Sequence, residues 1–367
     1  MSKETAPETE TPQTFRIVLV SDVHKHGRRI DQITKWILDR NEQRATSSGH
    51  TAPTEWINAV LCMGDVGDMP PGCQDPYLTA TELGACSSNF VLMTNIASKL
   101  IYVPGNHDPA QMYSESEPPA LSVTSINAHR RWVRIVPGIV VCGIGGSGPA
   151  RLGSEENPFF SYPYKSERDF EEQVAALNFD APYSPPDPSS DGCDEDIPPE
   201  FTTKNFVNGK DRNVFGTVPV PVTEVGPEDS VILMTHEGPA GSPTTIDFDH
   251  DGTGVLLSCG SEAIAKLIRE NQGTDGEEEE KEEEEGKGVK RHIVAAIHGH
   301  SHNSAGMASI GGVKVINPGA LCDGNFALLT LAKNPGDVLW HVSDCVFAHL
   351  PDLPPLIQIK SSMALNN

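Results

Sequence analysis

The chain has 367 residues, a hydrophobic share of 37% and a net charge of −24 from 51 acidic and 27 basic side chains. That length allows one large domain or two ordinary ones, and so acidic a chain lacks the basic stripe that a nucleic-acid polymer requires. No stretch approaches the ~20 apolar residues of a membrane span, and the eight cysteines are scattered with no C-x-x-C pair, so the expected setting is reduced, soluble and cytoplasmic.

Residues 1–13 are polar and acidic, and are expected to be a disordered tail without signal-peptide character. "FRIVLVSD" (15–22) is an apolar run ending in Ser-Asp, the pattern of a buried strand. Ile30, Ile33 and Ile37 recur at helical spacing across 29–44. "INAVLCMGD" (57–65) predicts a second strand, 80–99 a helix with Leu83, Phe90, Met93 and Ile96 or Ala97 inward, and "LIYVPGNHD" (100–108) a third strand. "RWVRIVPGIVVCGIGG" (131–146) reads as two strands turning at Pro137-Gly138.

Residues 149–229 turn rich in Pro, Asp, Ser and Gly, with one helical stretch near 166–177, and read as a long insertion or lid. "SVILMTHEGP" (230–239) resumes the strand pattern, and 260–271 reads as a helix with Ala263, Ile264, Leu267 and Ile268 on one side. The run EEEEKEEEE (277–285), within an expected disordered acidic loop at 272–290, carries eight Glu and one Lys, so most of the negative charge lies elsewhere. "RHIVAAIHGHSH" (291–302) is a further buried strand, 306–347 holds several short strands in meander style, and 348–367 reads as a tail. Strand–helix alternation argues an α/β fold with parallel early strands. The expected organisation is a single domain over 14–347 with the two insertions.

The polar residues fall at the ends of these strands. Asp22-x-His24, Gly64-Asp65-x-x-Asp68, Gly105-Asn106-His107-Asp108, His236 and Gly299-His300-x-His302 each follow an apolar run. Groups at the carboxyl ends of parallel strands share one edge of a sheet. His298, His300 and His302 alternate, so on a strand they share a face; they could grip a metal or be surface histidines at a strand end. Taken together, carboxylates and imidazoles in this number suit divalent manganese, iron, zinc or nickel. Two such ions need a bridging carboxylate and can clamp an in-line displacement at phosphorus.

This five-part order resembles the signature of the calcineurin-like metallophosphoesterases, over about residues 15–331. Softer shared stretches are "VCGIGGSG", "THEGPAGSPTTIDF", "GSEAIAKLI" and "VKVINPGAL". The resemblance implies a four-layer αββα sandwich of two facing mixed β-sheets flanked by helices. It implies two divalent metal ions, manganese first among the choices: Asp22, His24 and His302 on one, Asn106, His236 and His300 on the other, and Asp65 bridging. A hydroxide bridging the ions would attack phosphorus. His107 would contact the phosphate and protonate the leaving oxygen, and Asp108 would orient His107. Asp68 fits the pattern but is expected to tie its loop.

The implied activity is phosphoester hydrolysis on a small substrate, with a phosphodiester preferred slightly to a phosphomonoester. The protein serine/threonine phosphatase branch is disfavoured because its second motif continues Asp-Arg-Gly where this chain reads "GDVGDMPPG". A silent protein-interaction scaffold on the same fold is the alternative, and the intact ligand set with His107 argues against it. Protein partners are left open. Two patterns are set aside. Gly143-x-Gly145-x-x-Gly148 matches a dinucleotide fingerprint, but Pro149 follows where a helix must open. Asp247-x-Asp249-x-Asp251-Gly252 resembles a calcium loop, but its twelfth position is Ser258 rather than Glu. His26 and His298 are expected to flank the site without binding metal.

Overall fold

The structure is a computed structural model that describes residues 11–48, 56–114, 118–152, 155–157, 161–177, 179, 219–248, 256–271 and 291–352. In chain order the main elements are β1 (Gln13–Val20), α1 (Arg28–Ser48), β2 (Ala59–Cys62), α2 (Pro76–Met93), β3 (Leu100–Tyr102), β4 (Ser125–Asn127), β5 (Trp132–Val136), β6 (Ile139–Ile144), β7 (Ala150–Leu152), β8 (Glu155–Asn157), α3 (Glu167–Ala176) and β9 (Val220–Val222). There follow β10 (Ser230–Thr235), β11 (Gly238–Pro239), β12 (Ile246–Phe248), β13 (Leu256–Ser258), β14 (Gly260–Ser261), α4 (Glu262–Glu270), β15 (His292–Ile297), β16 (Gly306–Ile310), β17 (Val313–Asn317), β18 (Asn325–Lys333) and β19 (His341–His349).

Two mixed sheets dominate. One has the order β19-β18-β1-β2-β3-β4, the other β16-β17-β15-β10-β6-β5-β9. Strands β1 to β4 run parallel, as do β6, β10, β15 and β17. The central strands are apolar on both faces because both faces are covered. Phe15, Ile17 and Leu19 of β1 point into a core shared with Ile139 and Val141 of β6, Ile232 and Met234 of β10 and Ile297 of β15. The intervening Val18 and Val20 pack instead with Ile30 and Ile33 of α1 and Phe90 and Met93 of α2. On the second sheet Val140, Cys142, Val231 and Leu233 meet Phe170 and Val174 of α3 and Ile264, Leu267 and Ile268 of α4. The packing thus runs helices, sheet, sheet, helices, in keeping with the expected mixed α/β class.

Three helices open on identifiable caps. Asp75 accepts the Tyr77 and Leu78 amides at 2.9 and 2.8 Å with Pro76 at the first helical position, so α2 starts four residues before the expected 80 and stops at Met93. Ser166 accepts the Asp169 amide at 3.2 Å, and Ser261 accepts the Ala263 amide at 3.1 Å. The expected meander at 306–347 is split: β16 and β17 extend the second sheet, whereas β18 crosses to pair antiparallel with β1 and carries β19. The last strand runs on to His349, and Leu350 is buried after it. Within the expected insertion, α3 packs on the second sheet, β7 and β8 join β12 and β13 in a small sheet, and β9 pairs with β5. The acidic run, residues 1–10, 180–218 and 353–367 lie outside the described residues.

Candidate metal centre

The parallel strands of both sheets stop at a common edge, and the next residues carry the polar side chains. Asp22 and His24 follow β1, Asp65 follows β2, Asn106 to Asp108 follow β3, His236 follows β10, and His300 and His302 follow β15. The turns are sharp enough to place non-glycine residues at left-handed backbone angles: φ is 54° at Asp22, 42° at His24, 51° at Asp65 and 66° at His300. Such angles cost about 1–3 kcal/mol each and persist only where the surroundings enforce them. Backbone bonds between loops do so here: the Asp22 amide donates to Gly64 O at 3.0 Å, and the Gly299 amide to His236 O at 3.0 Å.

Two candidate ligand sets face each other across Asp65. In the first, His302 Nε2 lies 3.3 Å from Asp22 Oδ1 and 3.4 Å from His24 Nε2, and His24 Nε2 lies 3.8 Å from Asp65 Oδ2. In the second, His236 Nε2 lies 3.4 Å from the same Asp65 Oδ2 and 2.8 Å from Asn106 Oδ1, which also sits 3.1 Å from His300 Nδ1. Asp22, His24 and His302, and likewise Asp22, Asp65 and His236, have ligand atoms mutually close enough to hold an ion.

The donor chemistry fits a cation. His236 Nδ1 is 2.6 Å from the Met63 carbonyl, so it carries a proton and donates it there, leaving Nε2 to face two oxygens. In a neutral imidazole that places a lone pair against lone pairs, an arrangement a metal ion converts into coordination. Asn106 Nδ2 is buried without a hydrogen-bond partner, and it belongs to this cluster.

The electrostatics point the same way. Burial alone would raise the Asp65 carboxyl, but His236 and His107 hold it well below the usual range; His302 does the same for Asp22. Burial would depress the His236 and His302 imidazoles, but Asp65 and Asp22 lift them to about 9. Burial, then the neighbouring His236, pushes His300 down to about 3. Positive charge is therefore favoured at two points of the cluster, one in each set.

The catalytic pair expected after β3 behaves differently. The His107 amide donates to Asp65 Oδ1 at 2.7 Å and its ring Nδ1 lies 3.0 Å from the Met69 carbonyl. Its ring packs edge-on to His24, with centroids 5.3 Å apart. Asp108 does not make the expected bond to the His107 ring. Its carboxylate accepts the Gly67 and Gly105 amides at 2.7 and 2.8 Å, because the loop turns it inward beneath the site. Burial and the Asp65 charge push its carboxyl up to about 7. Asp68 is half exposed, 3.6 Å from His24 Nδ1 and 3.7 Å from Lys25, in line with a loop-tying role.

His298 is buried against Thr244 Oγ1 at 2.8 Å, and His26 is exposed. The pattern Gly143-x-Gly145-x-x-Gly148, which begins within β6, opens no helix; Ile144 O instead accepts the His236 amide at 3.0 Å. Of the calcium-like pattern, Asp249 and Asp251 lie outside the described residues, but Asp247 holds the His302 amide at 2.9 Å and Asn303 Nδ2 at 2.5 Å. Asn317 Nδ2 donates to Ser301 O at 2.8 Å and braces the same loop. Neither support was singled out as a site residue, though both sit in stretches, "PTTIDF" and "VKVINPG", that carry the resemblance.

An α/β chain that gathers aspartates, histidines and an asparagine from the ends of two sheets has the make of a two-metal centre. The family model described as calcineurin-like phosphoesterase matches residues 15–304, and the chain belongs to that family. Similar solved structures include TT1561 of Thermus thermophilus, at 15% identity and a TM-score of 0.44, covering 88% of this chain and 99% of that one. The calcineurin-like phosphoesterase YfkN from Bacillus subtilis is similar at 12% identity and a TM-score of 0.38, with 93% and 91% covered. A dimetal phosphatase from Danio rerio is similar at 10% identity and a TM-score of 0.40, with 92% and 99% covered. A search of curated proteins gives no match. No helix among the described residues is long and apolar enough to cross a membrane.

Proposed function

We propose that this protein is a metal-dependent phosphoester hydrolase that holds two divalent ions and acts on a small substrate, with phosphodiesters slightly favoured over phosphomonoesters. The observation that carries the reading is the pair of facing ligand sets that share Asp65 Oδ2, at 3.8 Å from His24 and 3.4 Å from His236. Asp22, His24 and His302 would hold one ion, Asn106, His236 and His300 the other, and Asp65 both. Manganese suits this nitrogen and oxygen set best in our reading, with iron, zinc or nickel as alternatives. When bound, such ions supply Lewis acidity, which makes coordinated water nucleophilic near neutral pH and neutralises phosphate oxygens.

The remaining chemistry falls to side chains. His107 is held at Nδ1 by the Met69 carbonyl, so its Nε2 is the nitrogen left to meet substrate. In the protonated ring, Nε2–H donates to the phosphate and passes its proton to the leaving oxygen. Asp65 also fixes the His107 backbone, which couples the position of the acid to the position of the ions. Asp108 serves as a strut for the Gly67 and Gly105 amides. A net charge of −24 disfavours a long nucleic-acid substrate, and a single domain in the cytoplasm completes the reading.

The test is hydrolysis by purified protein loaded with manganese, on matched aryl phosphodiesters, aryl phosphomonoesters and cyclic nucleotides. Turnover of diesters above monoesters is expected. Faster monoester turnover would reverse the preference, and inertness across the panel with two ions bound would favour a scaffold.

A further inference from the structure

His298 is the first of the three alternating histidines and belongs to neither candidate ligand set; its ring turns instead to the buried stretch 242–245. The loop that follows it is bent hard. The Ser301 amide donates to Gly299 O at 2.7 Å, closing a three-residue turn around His300, whose φ is 66°. A positive φ at the centre of such a turn marks its strained form, which is rare in proteins. Gly299 permits the bend, because a side chain there would strike Ser21 Oγ.

A strained turn keeps its shape only where neighbours hold its peptide groups. The His298 ring holds Gly299 O, and Asp22 Oδ2 holds the His300 amide at 3.1 Å. Asn317 Nδ2 holds Ser301 O at 2.8 Å, and Asp247 Oδ2 holds the His302 amide at 2.9 Å. Asp22 is itself a candidate ligand. The other supports converge on one short segment: Asp247 lies just past Thr244, and His298 and Asn317 both bond to Thr244.

Proton directions can be assigned along this chain of bonds. His298 Nδ1 lies 3.0 Å from Gly299 O, and a carbonyl only accepts, so Nδ1 carries a proton. In the neutral ring Nε2 is then an acceptor, and the Thr244 hydroxyl donates to it at 2.8 Å. Thr244 Oγ1 accepts in turn from the Ser242 hydroxyl at 2.7 Å, while Ser242 Oγ accepts the Thr244 amide at 3.3 Å. On the other side Thr244 O accepts from Asn317 Nδ2 at 3.0 Å. Thr244, His298 and Asn317 are 3%, 1% and 0% exposed, so bulk water cannot stand in for a lost partner.

We propose that Thr244 is a positioning residue for the metal centre: its hydroxyl sets the His298 ring, and the ring sets the peptide from which His300 reaches its ion. The proposal rests on the two-ion reading of the site and extends it to a residue outside both ligand sets.

The experiment reads manganese binding rather than turnover, by calorimetric titration of the full, metal-free chain well below its melting temperature. The parent should bind two ions. Thr244→Val keeps the shape and the carbonyl bond to Asn317 but lacks the donor, and should bind at least one ion about 10–100-fold more weakly. Thr244→Ser restores the hydroxyl and should recover the parental affinity. Thr79→Val removes another buried threonine hydroxyl, bonded to Asp75 O at 2.7 Å in the first turn of α2, and should leave the affinity unchanged. Parental affinity in Thr244→Val would overturn the proposal and leave the two-ion reading standing. So would an equal loss in Thr79→Val, or no recovery in Thr244→Ser. A parent that binds no manganese would overturn both. If Thr244→Val does not fold, the histidine nitrogen NMR spectrum of the metal-free parent decides: a proton on His298 Nδ1 is expected, and one on Nε2 alone would release Gly299 O and overturn the proposal.

Discussion

Gly105→Ala perturbs the metal centre without replacing any candidate ligand. A Cβ on Gly105 would stand 2.7 Å from Asp65 Cγ, and nearer still to Asp65 N and Oδ1, whereas ordinary contact begins at 3.4 Å, so the groups must part by about 0.7 Å or more. Asp65 cannot yield alone, since its carboxylate faces both ligand sets and receives the His107 amide. Overpacking of this kind costs about 1–3 kcal/mol, a fall of roughly 1–5 °C in melting temperature for a domain of this size. A displacement approaching 1 Å at the reacting centre costs on the order of 10²-fold in rate. The matched control is Gly84→Ala, inside α2, where a Cβ meets nothing within 4 Å. That change should stabilise by about 0.4–1 kcal/mol through helix propensity and chain entropy. The assays are thermal unfolding, metal content of the protein after manganese loading, and turnover of an aryl phosphoester. A Gly105→Ala protein with parental melting temperature and metal content would refute the close-packing argument.

Asp65→Asn should lower the occupancy of both ions together, and elemental analysis finding two filled sites would contradict a shared ligand. His107→Ala should keep both ions and lose about 10²–10⁴-fold in turnover; loss of the metals would show that the residue supports the centre instead. Between pH 6.5 and 9 the metal-free fold should lose stability as pH rises. His236 and His302 titrate at about 9 when folded, so the stability their protons supply is complete below 6.5 and lost through 9. Glu237, next to His236 in sequence, has its carboxyl pushed up to about 8 by burial and acts in the same direction up to that pH, whereas Asp108, at about 7, sheds most of its contribution below this window. Metal replaces the histidine protons, so the gap in melting temperature between loaded and stripped protein should widen toward pH 9, with protons released on loading. A stripped protein that gains stability over that range would contradict these assignments.

The candidate ligand positions were legible because apolar strands are easy to find and each ends on a polar residue. Val20 to Asp22 and Ile297 to His300 show the pattern: the strand's periodicity stops where the chemistry begins. Pairing was harder to read. Nothing local in "FALLTLA" tells that it crosses to the first sheet and lies against β1 while "VKVINPG" stays on the second, since register is set by partners far away in sequence. The start of α2 was hidden for a different reason: Asp75-Pro76 is a cap, yet it sits in a polar loop that reads as a turn. The roles of Asp108 and Asp247 were misjudged or missed because backbone amides are their partners, and amides carry no residue-type signal.

The left-handed backbone angles at Asp22, His24, Asp65 and His300 have a consequence for anyone selecting variants of this protein. Glycine relaxes such angles, and asparagine tolerates them better than most residues, so at these four positions relief of strain opposes retention of the ligand. A library sorted for heat resistance alone should enrich glycine or asparagine there, and the enriched clones should bind metal poorly. A library sorted for metal retention should return the parent residues. The two selections diverge most at the strand ends and least in the inter-sheet core, where Ile17, Leu61 and Ile297 answer to packing alone.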